Sequence, residues 1–159
     1  MLRQMLVAVD FSVCNHCAVQ HACDVARAIG GTVTLLHVLE DHGLKPAGPE
    51  AAQALLQHLS LLARRPPNCL IVPVRREVNG ADSLTGGVAL TILAVADQLN
   101  AELIVIGLHG QGRSAAGTLG QVLQRVLLEA RIPVQVVPCR STRPIIDRWS
   151  VALAEKAAH

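Results

Sequence analysis

Five glycines, at positions 107, 110, 112, 117 and 120, separate a short apolar run at 102–106 from a segment at 122–128 with apolar residues at helical spacing. Glycine tolerates positive φ and, having no Cβ, lets a ligand come close to the main chain. A glycine-rich turn that opens onto a helix start presents spare N–H groups and the positive end of the helix dipole to an anion. The stretch therefore reads as a phosphate cradle, with Arg113 inside it as a cation able to reach phosphate. Glycine content alone would fit a plain surface loop equally well, and position argues for the cradle: a buried strand precedes it and a helix follows.

A second cluster of chemistry-bearing residues is Cys14-Asn15-His16-Cys17, followed by His21 and Cys23. At ~100° per residue, Cys14, Cys17 and His21 fall within about 60° of one another on a helix, and Cys23 points nearly the opposite way. A Cys-x2-Cys pair at a helix start can carry a depressed thiol pKa and do redox chemistry, or it can ligate zinc. Zinc would need a fourth ligand, and the chain has no second Cys-x2-Cys. Cys14 also lies in line with an apolar stripe, where cysteine behaves as a small hydrophobe. Packing and redox or metal work both stay open. Cys69 and Cys139 read as core or strand-edge residues, and His37, His42 and His58 are scattered with no chemistry assigned.

The elements that must hold these residues alternate between strand and helix, which argues an α/β domain with a parallel sheet. The first strand is expected at 6–9. Asp10-Phe11-Ser12 then turns the chain, and Ser12 can cap a helix running to about Ile29, stopped by Gly30-Gly31. Its apolar stripe is Cys14, Ala18, Ala22, Val25 and Ile29. The second strand is expected at 32–39, and 40–49 is a Gly/Pro loop. A second helix at about 50–63 has its acidic residue at the start and Arg64-Arg65 at the end, as the dipole prefers. The third strand, about 70–74, contains Pro73 and so belongs at a sheet edge. Residues 79–87 read as a polar, glycine-bearing loop, 88–100 as a third helix, and 134–137 as the fifth strand.

Composition limits the possibilities. A chain of 159 residues suits one domain with its own core, and 51% hydrophobic against 16% charged residues excludes a disordered chain. A net charge of +2 gives no reason to expect nucleic acid or an anionic membrane as partner. With Phe11 and Trp149 as the only aromatics, stacking platforms for single strands are lacking. The longest apolar run, 88–96, is well short of a membrane span, and 1–11 does not read as a signal peptide. Five cysteines, an odd number, then suggest free thiols in a reducing cytoplasm.

Gly107-x2-Gly110-x9-Gly120 resembles the nucleotide loop of the universal stress protein family, where the last glycine is followed by Ser or Thr. Leu6-Val7-Ala8-Val9-Asp10, residues 32–38 and residues 132–138 resemble that family in the same order. One departure stands out: Gln121 occupies the hydroxyl position of the ATP-binding members. The resemblance implies a three-layer, Rossmann-like α/β fold over 1–139, with a five-stranded parallel sheet in the order 3-2-1-4-5. Residues 140–159 form a C-terminal extension of helical pattern, with Ile146, Trp149 and Leu153 along one side. In that strand order Asp10 and Gly107 meet at the switch point where open α/β sheets bind ligands.

The resemblance also implies roles. Asp10, with the backbone of Ala8 and Val9, would face the nucleoside, its carboxylate accepting from ribose hydroxyls or holding Mg or Mn; as a turn residue it can equally just close the turn. Val38 would meet the adenine edge through its backbone, and Ile106 would pack on the base or sugar. Gly107, His109 and Gly110 would wrap the ribose and first phosphates, although His109 also fits a solvated loop histidine. Gly120, Gln121 and Val122 would offer N–H groups to the outer phosphates. Losing the hydroxyl to Gln121 costs about 1.5–3 kcal/mol of hydrogen bonding to a charged group, so ATP binding is expected to be weakened roughly ten- to a hundred-fold. The implied function is an ATP-binding regulatory protein of the stress response that acts by binding, with at most slow hydrolysis and a homodimer through strand five. The alternative is a non-nucleotide dimeric scaffold that senses thiol oxidation or metal through Cys14 and Cys17.

Overall fold

The computed structural model describes residues 2–39, 48–61, 63, 67–74, 84–108 and 119–139. Nine elements follow one another: β1 Gln4–Ala8, α1 Val13–Ile29, β2 Thr32–Leu39, α2 Pro49–Ser60, β3 Asn68–Pro73, α3 Leu84–Gln98, β4 Leu103–Gly107, α4 Gln121–Glu129 and β5 Val134–Val137. The strands form one parallel sheet in the order β3-β2-β1-β4-β5, the Rossmann-like arrangement expected.

Strand alternation divides the core in two. Met5, Val7, Leu35, Leu103 and Val105 point to one face and pack under Ala18, Val19, Ala22 and Ala26 of α1 and Leu56 and Leu59 of α2. Leu6, Ala8, Leu36, Ile104 and Ile106 point to the other, under Ala89, Ile92, Val95 and Ala96 of α3 and Leu123 and Val126 of α4. Central strands buried on both faces must be apolar throughout, as 103–107 is. Burying each large aliphatic side chain stabilises by about 1.5–3 kcal/mol.

Helix ends follow local chemistry. At the end of α1, Gly30 takes the left-handed conformation, φ 72°, and its N–H returns to the Ala26 carbonyl. Pro49 opens α2, which ends at Ser60, earlier than its periodicity suggested. α3 corrects the loop expected at 79–87: the helix already runs from Leu84. Gly86 and Gly87 look like loop signals in sequence. Gly87 is buried within the helix, and its carbonyl accepts from the Thr91 hydroxyl at 2.7 Å, so packing overrides propensity. β3 forms one sheet edge and reaches Pro73, whose missing N–H suits an edge.

Candidate functional site

The winding reverses between β1 and β4, whose last register pair is Ala8 with Ile106. Beyond that pair the β1–β4 register ends, at the position where open α/β sheets take ligands in a crevice. β1 leaves the sheet through a turn held by Asn15. The Asn15 side-chain carbonyl accepts from the N–H groups of Asp10 and Phe11, the latter at 3.1 Å. Its amide donates to the Ser12 hydroxyl at 3.2 Å. Asn15 is only 4% exposed, so this bonding replaces water for both turn amides. One Asp10 carboxylate oxygen accepts from the Ser12 N–H at 3.0 Å, which closes the turn as expected of Asp. Ser12 precedes α1 as its N-cap residue in extended conformation, but its hydroxyl makes no cap bond to the helix. Phe11 sits at φ 62°, a strained value for a residue with a Cβ.

β2 runs past β1, to Leu39. Residues of a parallel strand direct their N–H and C=O alternately to the two neighbours. Val9 N–H donates to the Leu36 carbonyl at 2.8 Å, so Leu36 and Val38 face β1, whereas Leu39 accepts from Val74 on the β3 side. The next rung would join Val38 N–H to the Val9 carbonyl. The His37 imidazole reaches that same carbonyl at 2.8 Å. A carbonyl only accepts, so Nδ1 carries the proton. Val38 directs its N–H and C=O to the β1 side of β2, just where β1 has ended. The Phe11 ring lies beside His37, centroids 4.4 Å apart. The Val38 side chain itself is buried in the α3–α4 core.

On the other side stand Gly107 and the start of α4. A Cβ on Gly107 would lie 2.9 Å from the Cys14 Cβ and 3.2 Å from its carbonyl carbon, so the absent side chain makes room for α1. Ile106 is 7% exposed and packed in the α3–α4 core. Gly120 caps α4 with φ −60° and ψ 144°, angles any residue can adopt. Among the described residues nothing lies within 4 Å of the Cβ it lacks. Gln121 and Val122 are the first two residues of the helix, whose leading N–H groups have no intrahelical acceptor. His109, Gly110 and Arg113 lie outside the described residues.

The profile of the universal stress protein family matches residues 1–138. The chain belongs to that family. It is 36% identical over 141 residues to a universal stress protein of Mycolicibacterium smegmatis, covering 84% of this chain and 45% of that one. The chain thus spans under half of that relative's length. A universal stress protein structure from Archaeoglobus fulgidus superposes with a TM-score of 0.61 at 26% identity, covering 86% of this chain and 99% of that one. A universal stress protein from the same organism, solved in complex with dAMP, gives 0.59 at 24% identity over 86% and 99%.

In this universal stress protein two crevice residues had no role at the sequence level: Asn15 and His37. Asn15 left a signal, since a polar residue next to Cys14 on a core-facing helix turn needs a buried partner. His37 left none, because its acceptor belongs to another strand. The cysteines also differ from the Cys14–Cys17 reading. Cys14 is buried, and the sulfur beside Cys17 is that of Cys139, at 3.0 Å. Among the described residues no three His, Cys, Asp or Glu side chains are placed to hold a metal ion, so Cys14, Cys17 and His21 do not converge as ligands. Among those residues no helix is long and apolar enough to cross a membrane.

Proposed function

We propose that this universal stress protein binds an adenine nucleotide in the β1–β4 crevice and acts in the stress response by binding rather than turnover. The observation that carries this is the backbone of Val38, a donor and an acceptor side by side on the β1 side of β2, past the last register pair of β1. Adenine offers the complementary pair on its Watson–Crick edge. Across the crevice, no atom of the described residues lies near the Cβ that Gly120 lacks at the start of α4, where an anion is favoured by the dipole and the leading N–H groups. The Archaeoglobus fulgidus protein solved with dAMP supports the nucleotide class. ATP would place its outer phosphates against Gly120, Gln121 and Val122. Mg or Mn would arrive with the phosphates, since such ions take one or two carboxylates plus phosphate oxygens, and Asp10 supplies the carboxylate. β5 is the sheet edge without an internal proline, its four residues half-buried, and it is the strand through which a homodimer would pair.

A scaffold without nucleotide is the second reading. It is favoured by Gly107, whose missing side chain is explained by α1 alone, and by Gln121. Isothermal titration with ATP, ADP and AMP separates the two. The test variant is Gly120→Asp. Aspartate is a good N-cap and raises helix stability, while its carboxylate repels phosphate. Binding in the unaltered chain, lost in Gly120→Asp with Tm held or raised, is the expected result. No heat and no nucleotide released from the purified chain would leave the scaffold.

A further inference from the structure

We propose that Cys17 and Cys139 are a reversible dithiol–disulfide site, oxidised by hydroperoxide, that fastens the exit of β5 to α1. Their sulfurs are 3.0 Å apart although 122 positions separate them in sequence. A disulfide bond is about 2 Å long, so roughly 1 Å of approach completes it. Both residues are half-buried, not sealed in the core like Cys14, and so are within reach of a small oxidant. Cys14 is one turn away on the same helix, but it is packed against Gly107. The sulfur in contact with that of Cys17 is the Cys139 sulfur, which makes Cys139 its partner.

Burial, reinforced by the neighbouring Cys139 and Cys14 sulfurs, pushes the Cys17 thiol up to about 11. Cys17 therefore keeps its proton at neutral pH and serves as the second sulfur to react. The Cys139 sulfur attacks one peroxide oxygen; the S–H and O–O bonds break, an S–O bond forms, and the departing hydroxide leaves as water with the thiol proton. The sulfur is now a sulfenic acid. The Cys17 sulfur attacks it, the S–S bond forms, the S–O bond breaks, and hydroxide leaves with the Cys17 proton as a second water. Two thiols lose two electrons and the peroxide gains them. A small dithiol reverses the bridge by exchange.

The bridge would join two elements that flank the end of β4. α1 carries Asn15 and Cys14, and the Val137 carbonyl of β5 accepts from Leu108 N–H at 3.0 Å. Oxidation therefore locks the frame around Gly107 and Leu108, whether or not a nucleotide binds there.

The test treats the reduced full chain with hydrogen peroxide, quenches it, alkylates the remaining thiols under denaturing conditions and maps peptides by mass spectrometry. A Cys17–Cys139 linked peptide is expected, with the free-thiol count falling from five to three and returning to five in dithiothreitol. Cys23→Ser should retain the link, while Cys17→Ser and Cys139→Ser should lose it. Should either serine variant fail to fold, as judged by circular dichroism, the link in the unaltered chain and in Cys23→Ser decides. An unchanged count of thiols, a Cys14–Cys17 link, a link between two chains, or Cys139 sulfinic acid without a link would each overturn the proposal.

Discussion

Gly107→Ala tests whether this glycine exists for a ligand or for a helix. The added Cβ would lie 2.9 Å from the Cys14 Cβ and 3.2 and 3.3 Å from its carbonyl carbon and oxygen. None of those atoms is the end of a flexible side chain, so α1 as a whole must move off β4. Overpacking of this kind costs about 1–3 kcal/mol. Replacing glycine also removes unfolded-state entropy, which returns roughly 0.4–1 kcal/mol. The net loss should be about 1–2 kcal/mol, or a Tm lower by ~2–8 °C at this chain length. Urea unfolding followed by circular dichroism in dithiothreitol should show a lower midpoint at unchanged slope. Combining Gly107→Ala with Cys14→Gly removes the closest contact, so the pair should be less destabilised than the sum of the singles by ~0.5–1 kcal/mol. Gly107→Ala within ~0.5 kcal/mol of the parent, together with simple additivity, would refute the packing explanation.

Asn15→Ala should cost about 2–4 kcal/mol, because the turn amides of Asp10 and Phe11 lose their common acceptor; chemical denaturation measures it, and a loss below ~1 kcal/mol would show that water takes over. Gln121→Ser should tighten ATP binding roughly tenfold or more by restoring a hydroxyl, as read by titration calorimetry, and equal isotherms for the two chains would count against a phosphate at that position. Cys17 has its folded pKa raised from 9.0 to about 11. Its contribution to stability is therefore complete below pH 9 and lost as pH rises through 11, so thermal melts should weaken over that window in the parent and less in Cys17→Ser. Cys139→Ser should bring the Cys17 thiol part of the way down, measured by thiolate absorbance, since burial, the larger cause, stays in place.

The strands were legible because each is a short apolar run bounded by turn residues, and β2 and β5 begin and end where their patterns do. The α1 stripe was legible for the same reason: Ala18 and Ala22 recur at helical spacing and both are fully buried. The start of α3 was not, since Gly86 and Gly87 signal a loop to any local reading, yet the helix begins at Leu84 and Gly87 is buried within it. Asp10 could be read as a turn residue from its neighbours alone, and it closes that turn through Ser12.

Local order along the chain, then, determined most of the elements and, through the family pattern, the order of their parallel sheet. Only the folded chain decided that Asn15 anchors the turn, that His37 reaches the Val9 carbonyl, that Gly107 is small for the sake of Cys14, and that Cys17 faces Cys139. Periodicity reports which side of its own helix or strand a residue occupies. It carries no record of the partner opposite, which for Cys17 lies 122 positions away and is chosen by how α1 and β5 pack together.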